Sequence, residues 1–398
     1  MTRPDRSEYR RASLALFLSL FAGQAAVIAM APVLTDAAAD LHVSTAAAGQ
    51  LRTITGLTAG ITALTLGIVT RRVGLGRQLL AGAALLAVAS VASAVAPTFA
   101  MLAVAQLPVG VAVAVLTTAG TLAAAEWVAP ELRTRALSWA LVGQPSAWIV
   151  GMPLVGMLGE RSWRYGWLAL PAAAAVVAAA LVAPRAGQPP GQARPAPARA
   201  VLADRRLARW LGGELLANAA WAGTLVYAGA LLAESYGTSS RLRGFLLAVA
   251  AVAYVAGNLL SRRLLREEPG RLLVPLAVLL AVSDGLFGAA RSGTAASTIL
   301  FACAAFLAGG RTLVASAFAL STPAEVRPAV MRLRAATMQF GYFVGSIAAG
   351  AALAVGGYTA FGVTMGVAFL AAAATTAGRR AGGRTRRADA HELAQALR

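Results

Sequence analysis

The chain has 398 residues, 58% of them hydrophobic and only 13% charged, with a mean hydropathy of +0.68 and a net charge of +19. A soluble domain is nearer half apolar and a quarter charged, so this excess does not fit one globular core. It falls into blocks of about twenty residues, enough to cross hydrocarbon as a helix. The basic residues lie between those blocks, which excludes nucleic acid as the reason for the charge and as a partner.

In chain order the apolar blocks cover residues 14–34, 45–70, 78–96, 99–125, 136–158, 163–184, 209–233, 243–261, 272–290, 296–320, 329–355 and 358–377. Alternating strand patterns are absent, and backbone polar groups in lipid must be satisfied within their own segment, so helices are expected throughout. The first block lacks a small-residue cleavage site followed by a soluble domain and is read as a retained span. The connector PRAGQPPGQARPAPARAVLADRR, residues 184–206, reads as a flexible linker. The expected organisation is an N-terminal segment 1–13, a six-helix bundle 14–184, a linker 185–206, a second six-helix bundle 207–378 and a tail 379–398.

All 35 basic residues are arginine. Of these, 28 fall on the side of the bilayer that carries both termini, five on the other side (Arg161, Arg164, Arg241, Arg243 and Arg291), and Arg52 and Arg311 lie inside spans. The excess predicts cytoplasmic termini. One cysteine, Cys303, and two isolated histidines, His42 and His391, offer neither a disulfide framework nor a metal set, and no phosphate-binding loop appears. No cofactor is expected, and no constellation suited to an enzyme is present.

Short segments recur between the halves. GIVTRRVGLGRQLL at 67–80 is echoed by GNLLSRRLLREEPGRLL at 257–273, and APELRTRA at 129–136 by TPAEVRPA at 322–329. Both pairs are displaced by about the same length, which points to a doubled unit around a shared central site.

On these residues the chain resembles the major facilitator superfamily over nearly its whole length. Gly67, Arg72 and Gly74 match that family's loop between the second and third spans, where Arg71, and Ser261 in the second half, stand at the usual aspartate position. GQPSAWIVGMPLVGMLGERSWRYGW at 143–167 is similar to the Gly/Pro-rich antiporter helix of the twelve-span drug- and sugar-efflux branch, through Gly143, Pro145, Gly151, Pro153 and Gly156. Gln106, ahead of Gly110, takes the place of that branch's intramembrane arginine. The resemblance implies an all-α integral membrane protein of two pseudo-symmetric six-helix bundles. It implies a monomeric secondary transporter in a bacterial plasma membrane, exporting small amphipathic molecules by alternating access and proton antiport. Uptake or facilitated diffusion of a sugar, nucleoside or organic anion is the alternative; a sensor would be expected to carry a soluble domain.

Ionisable groups inside a span usually face a cavity or a partner. Glu214, Asp284 and Arg311 are therefore the proton-coupling candidates, Glu214 as the titrating acid, Arg311 as its modulator or an anion holder, and Asp284 with a structural hydrogen bond as the favoured alternative. Helical rise puts Glu214 and Arg311 about 8 and 14 Å from the termini side, within reach of each other. Glu214 either titrates or forms a fixed ion pair. Arg52 either gates the outer vestibule or snorkels outward. Gln24, Arg52, Gln106, Thr117, Asn218, Trp221, Arg311, Gln339 and Tyr342 are the cavity candidates, with interhelical packing as the alternative for each.

Overall fold

The computed structural model describes residues 6–69, 72–128, 132–187, 198–263, 269–323 and 326–377. Among them every regular element is helical. Helix α1 is Arg6–Ile28, α2 Leu51–Val69, α3 Leu75–Val95 and α4 Phe99–Glu126. Helix α5 runs through Arg133–Ser146, a π-helical turn at Ala147–Gly151 and Met152–Gly159. Helix α6 runs through Arg164–Trp167, a second π-helical turn at Leu168–Ala172 and Ala173–Val182. Helices α7 Arg205–Tyr236, α8 Ser240–Ser261, α9 Leu273–Ala289 and α10 Thr294–Leu320 follow. Arg327–Ala377 is continuous except at Gly356 and Gly357, whose backbones leave the helical region, and it divides there into α11 (327–355) and α12 (358–377).

Nine helices among the described residues are long and apolar enough to cross a membrane. The Arg327–Ala377 stretch is one of these and splits in two; α2 and the 17-residue α9 fill the remaining places. The resulting twelve helices form two six-helix bundles, α1–α6 and α7–α12. An even number of spans returns Arg6 and Ala377 to one side, here called the termini side.

Local chemistry sets the boundaries. Ser44, Thr98 and Ser239 accept the backbone N–H three residues on, at 3.1, 3.3 and 3.3 Å, and Asp204 accepts from Arg206 N at 2.7 Å. Each satisfies an otherwise orphaned donor at the start of a helix. Gly237 ends α7 at φ 63° and Gly357 turns the chain at φ 61°, backbone that glycine adopts without strain. The π turns coincide with prolines: Pro145 lies just before the first and Pro171 inside the second. A proline removes one N–H from the ladder, and the widened turn accommodates the loss.

Three boundaries differ from the sequence expectation. The first block was expected to reach residue 34, but α1 ends at Ile28 and a separate helix, Leu34–Asp40, follows beyond Pro32. The second block is broken at Gln50, between Thr45–Gly49 and α2, which turns local backbone carbonyls toward side-chain donors. The described end of the linker contains a short helix, Ala198–Ala203, and α7 starts at Arg205 rather than 209.

Candidate functional site

Hydrogen bonds between the halves gather at the end opposite the termini. Gln50 Nε2 donates to Ser346 O at 2.9 Å and lies 3.3 Å from Tyr227 Oη, which in turn donates to Ala46 O at 2.9 Å. Thr45 donates to Glu234, whose other oxygen accepts from Tyr358 Oη at 3.0 Å. Arg243 is buried and bonds Pro32 O at 2.7 Å, Thr238 O at 3.1 Å and Asp36. Glycines permit this closure: a Cβ on Gly49 would stand 2.2 Å from the Tyr227 ring, and one on Gly229 would stand 2.1 Å from Ala31 O. Outside this cluster, Asp40 accepts from Arg164 and from the Trp163 indole at 3.0 Å. The Arg164 bond, and secondarily the indole, hold the Asp40 carboxyl below the usual carboxylate range.

Beneath the seal lies a narrow pocket lined by both halves. Val27, Trp148 and Met152 of the first half face Leu225, Val226 and Tyr342 of the second, with Arg52 among them. Arg52 is 7% exposed; its guanidinium carbon lies 4.7 Å from the Tyr342 ring centroid, and its Nε has no hydrogen-bond partner.

A second polar cluster lies nearer the termini side, in the second half. Arg311 Nη2 donates to Glu214 Oε1 at 2.6 Å, and Arg334 Nε lies 3.4 Å from Glu214 Oε2. Arg334 Nη2 also donates to Thr312 O at 3.1 Å, and the Thr312 hydroxyl accepts from Tyr254 at 2.9 Å. One carboxylate facing two guanidinium groups leaves a net positive charge. Asp284, between α9 and α7, has a different setting. It is 1% exposed, its Oδ2 lies 2.5 Å from the Thr224 hydroxyl, and its Oδ1 has no partner. No salt bridge joins Asp284 to an arginine among the described residues.

Two helix-packing contacts link the halves along their length. A Cβ on Gly156 of α5 would stand 2.4 Å from Ser240 O, and one on Gly244 of α8 would stand 2.4 Å from Met152 O. A Cβ on Gly56 of α2 would stand 2.6 Å from Phe343 N of α11. Each helix pair approaches across the bundle interface at glycine, as small residues allow in lipid. The sequence model of the Major Facilitator Superfamily matches residues 12–282, more than half of the chain.

The chain belongs to the Major Facilitator Superfamily.

Solved structures agree with this superfamily fold. A bacterial homologue of the human lysosomal transporter Spinster, in an inward-facing and unoccupied conformation, superposes with a TM-score of 0.74 at 14% identity, covering 94% of this chain and 95% of that one. The nucleoside transporter NupG superposes with a TM-score of 0.75 at 14% identity, covering 93% and 98%. A point mutant of NupG gives 0.72 at 14% identity, covering 94% and 99%. At such identities the likeness speaks for the fold alone. No curated protein matches the sequence.

The superfamily motifs and the candidate side chains can now be placed. Gly67 lies in the last turn of α2, which ends at Val69; Arg72 is exposed, and Gly74 is the buried N-cap of α3; Arg71 lies outside the described residues. Gly143 abuts Phe17 O and Gly151 abuts Ile28, so the start of the Gly/Pro-rich helix packs on α1, and its end, at Gly156, on α8. Pro145 and Pro153 flank the π turn between them.

Of the nine cavity candidates, Arg52 and Tyr342 line the pocket. Gln106 does not: it is buried and donates to Ser93 Oγ at 3.1 Å and Leu102 O at 3.3 Å, joining α4 to α3. Trp221 is stacked between Tyr254 and Phe301 at centroid distances of 6.2 and 5.9 Å, and Asn218 reaches Thr337 Oγ1 at 3.4 Å. Thr117 lies against Gly23 of α1, and Gln339 against Gly56 of α2. Gln24 is half-buried on α1, and Arg311 belongs to the Glu214 cluster. Sequence reasoning missed Gln50, Tyr227, Glu234, Arg243 and Arg334. Arg334 was counted among the arginines of a loop, although it stands two turns inside α11.

Proposed function

We propose that this multi-pass membrane protein is a secondary transporter exporting small amphipathic molecules across a bacterial plasma membrane. It works by alternating access, with cytoplasmic termini, no cofactor and the proton gradient as energy source. The observation that carries this reading is the pocket shared by both halves beneath a seal of cross-half hydrogen bonds. Breaking that seal while the termini side closes would move the same pocket from one face to the other. An apolar, aromatic lining with few polar groups suits amphipathic ligands. Superfamily membership supports transport over enzymatic chemistry, and the arginine distribution supports the orientation.

Among the proton-coupling candidates, the geometry favours Asp284 over Glu214. Glu214 is committed as the ion-pair partner of two arginines. Asp284 is buried without a cation. The Thr224 hydroxyl lies 2.5 Å from Asp284 and 3.1 Å from Ala220 O, and it has one proton to give. Both contacts become hydrogen bonds when Asp284 carries a proton and donates it toward Thr224. Binding or releasing this proton breaks no ion pair, which suits the residue to coupling.

Reconstituted protein in liposomes tests the reading, with fluorescent amphipathic dyes as probes. Dye accumulation that depends on an imposed pH gradient is expected; equal accumulation with and without the gradient removes proton antiport. Uptake or facilitated diffusion of an organic anion or nucleoside is the second reading. It is favoured by Arg52, Arg311 and Arg334 outnumbering Glu214 near the transport path. Flux of substrate down its own concentration gradient, with no imposed pH gradient, would select it.

A further inference from the structure

Arg52 is the side chain that the scheme above leaves without a task. It stands at the second residue of α2, is 7% exposed and lines the pocket between the halves. A guanidinium presents five N–H donors, and a buried one is ordinarily met by carboxylates or carbonyls. Here its charge meets the face of the Tyr342 ring, 4.7 Å away, and its Nε donates to nothing. Such a cation–π contact offsets only part of the cost of taking an ion out of water. The buried acids of the second half are committed elsewhere: Glu214 to Arg311 and Arg334, Asp284 to Thr224. Asp36, near the same end, is bound to Arg243. The pocket therefore contains an uncompensated, preorganised cation in otherwise apolar surroundings.

We infer that the pocket at Arg52 binds an amphipathic organic monoanion, its acid group on the Arg52 guanidinium and its apolar body against Trp148, Met152, Leu225 and Val226. Three features select this class. The planar guanidinium matches a carboxylate or sulfonate in a two-point hydrogen bond. The remaining lining side chains, Tyr342 apart, are apolar. A second negative charge would therefore lie buried and unpaired, so one charge is the limit. The lining comes from both halves, so the apolar body of the ligand lies across the seam between them. A cationic amphipath would meet Arg52 as a like charge. The inference deepens the transport reading and rests on it only for the passage of the ligand, not for its binding.

Binding is measured on full-length protein in lipid nanodiscs, titrated with naphthoate and with naphthamide, its neutral counterpart of the same shape. Tryptophan quenching and thermal stabilisation are the readouts. Naphthoate is expected to bind at least tenfold more tightly than naphthamide. Arg52→Gln is expected to weaken naphthoate tenfold or more with little change for naphthamide, and Arg52→Lys to fall between. Equal affinity for acid and amide in the unmodified protein overturns the inference, and so does unaltered naphthoate affinity in a folded Arg52→Gln. If that variant does not fold, the acid-to-amide ratio of the unmodified protein decides. Naphthoate binding without flux in liposomes would defeat the transport reading and leave the site standing. Gradient-driven flux of neutral amphipaths with no preference for the acid would defeat the site and leave transport standing.

Discussion

Arg311 reaches across from α10 to place Nη2 2.6 Å from Glu214 Oε1 on α7, with 7% and 1% of the two side chains exposed. Arg334 of α11 completes the cluster at 3.4 Å from the second oxygen, so one acid holds three helices. Removing a buried partner strands the charges it balanced, at about 3–5 kcal/mol. Glu214→Gln is expected to lower the thermal midpoint of the purified protein clearly. The double variant Glu214→Gln, Arg311→Gln should recover part of the loss, because one stranded cation is gone. A double-mutant cycle on thermal unfolding measures the coupling. Unfolding of Glu214→Gln at the unmodified temperature would show that the cluster does not hold the helices together.

Asp284 calls for the opposite outcome. An asparagine keeps its shape and its hydrogen bond to Thr224 but cannot release a proton. Asp284→Asn is therefore expected to unfold within a few degrees of the unmodified protein while gradient-driven dye accumulation in liposomes falls at least tenfold. Asp284→Leu should lose accumulation as well, and its stability reports only packing. Full gradient-driven accumulation by Asp284→Asn would remove this residue from proton coupling.

The element plan was readable because bilayer thickness forces apolar blocks of nearly fixed length. The split between residues 355 and 358 and the depth match of Glu214 with Arg311 both follow from counting residues along a helix, and both are present. Which way a polar side chain points was less readable. Lipid and protein interior are both apolar, so a weakly polar stripe does not say which face is the cavity. Gln106 bonds Ser93 and Trp221 stacks on aromatic rings for this reason, while Arg52 and Tyr342 do line the pocket. The seal was the least readable. Arg243 and Asp36 are 207 residues apart, Thr45 and Glu234 are 189 apart, and nothing local pairs them.

Asp40 gives the described surface a pH dependence of definite sign. Its carboxyl is held below the ordinary range chiefly by the hydrogen bond from Arg164, with the Trp163 indole contributing. A group with a depressed folded-state pKa stabilises the protein fully above its unfolded pKa of about 3.9 and loses that contribution as pH falls through the folded value. The side chains of Arg164 and Asp40 are 28% and 48% exposed, so solvent screening keeps the effect to about 1 kcal/mol or less. Asp40→Asn is expected to unfold slightly earlier than the unmodified protein at pH 7. The two thermal midpoints should converge as the pH is taken below 4, and high salt should narrow the gap at pH 7. A gap that stays constant from pH 7 to pH 3 would show that Asp40 acts by something other than its charge.

Gly229 tests whether the far-side seal has to open. Its position on α7 faces Ala31 between α1 and the Leu34–Asp40 helix, and a Cβ there would stand 2.1 Å from Ala31 O. That contact is backbone on both sides, so a larger side chain can be accommodated only by separating the halves. The hydrogen bonds of Gln50, Thr45 and Arg243 across the same seam would lengthen with it. Gly229→Val is therefore expected to favour the form open on the far side. Accessibility is read with a cysteine replacing Leu34, a buried pocket residue, in a background where the exposed Cys303 is serine. A membrane-impermeant maleimide applied from the far side should label that cysteine at least severalfold faster with Gly229→Val than without it. Gradient-driven transport should fall, since one of the two alternating forms is disfavoured. Unchanged labelling in a folded Gly229→Val protein would mean that the seal does not depend on this close approach, and the assignment of the far side as the gate would fail with it.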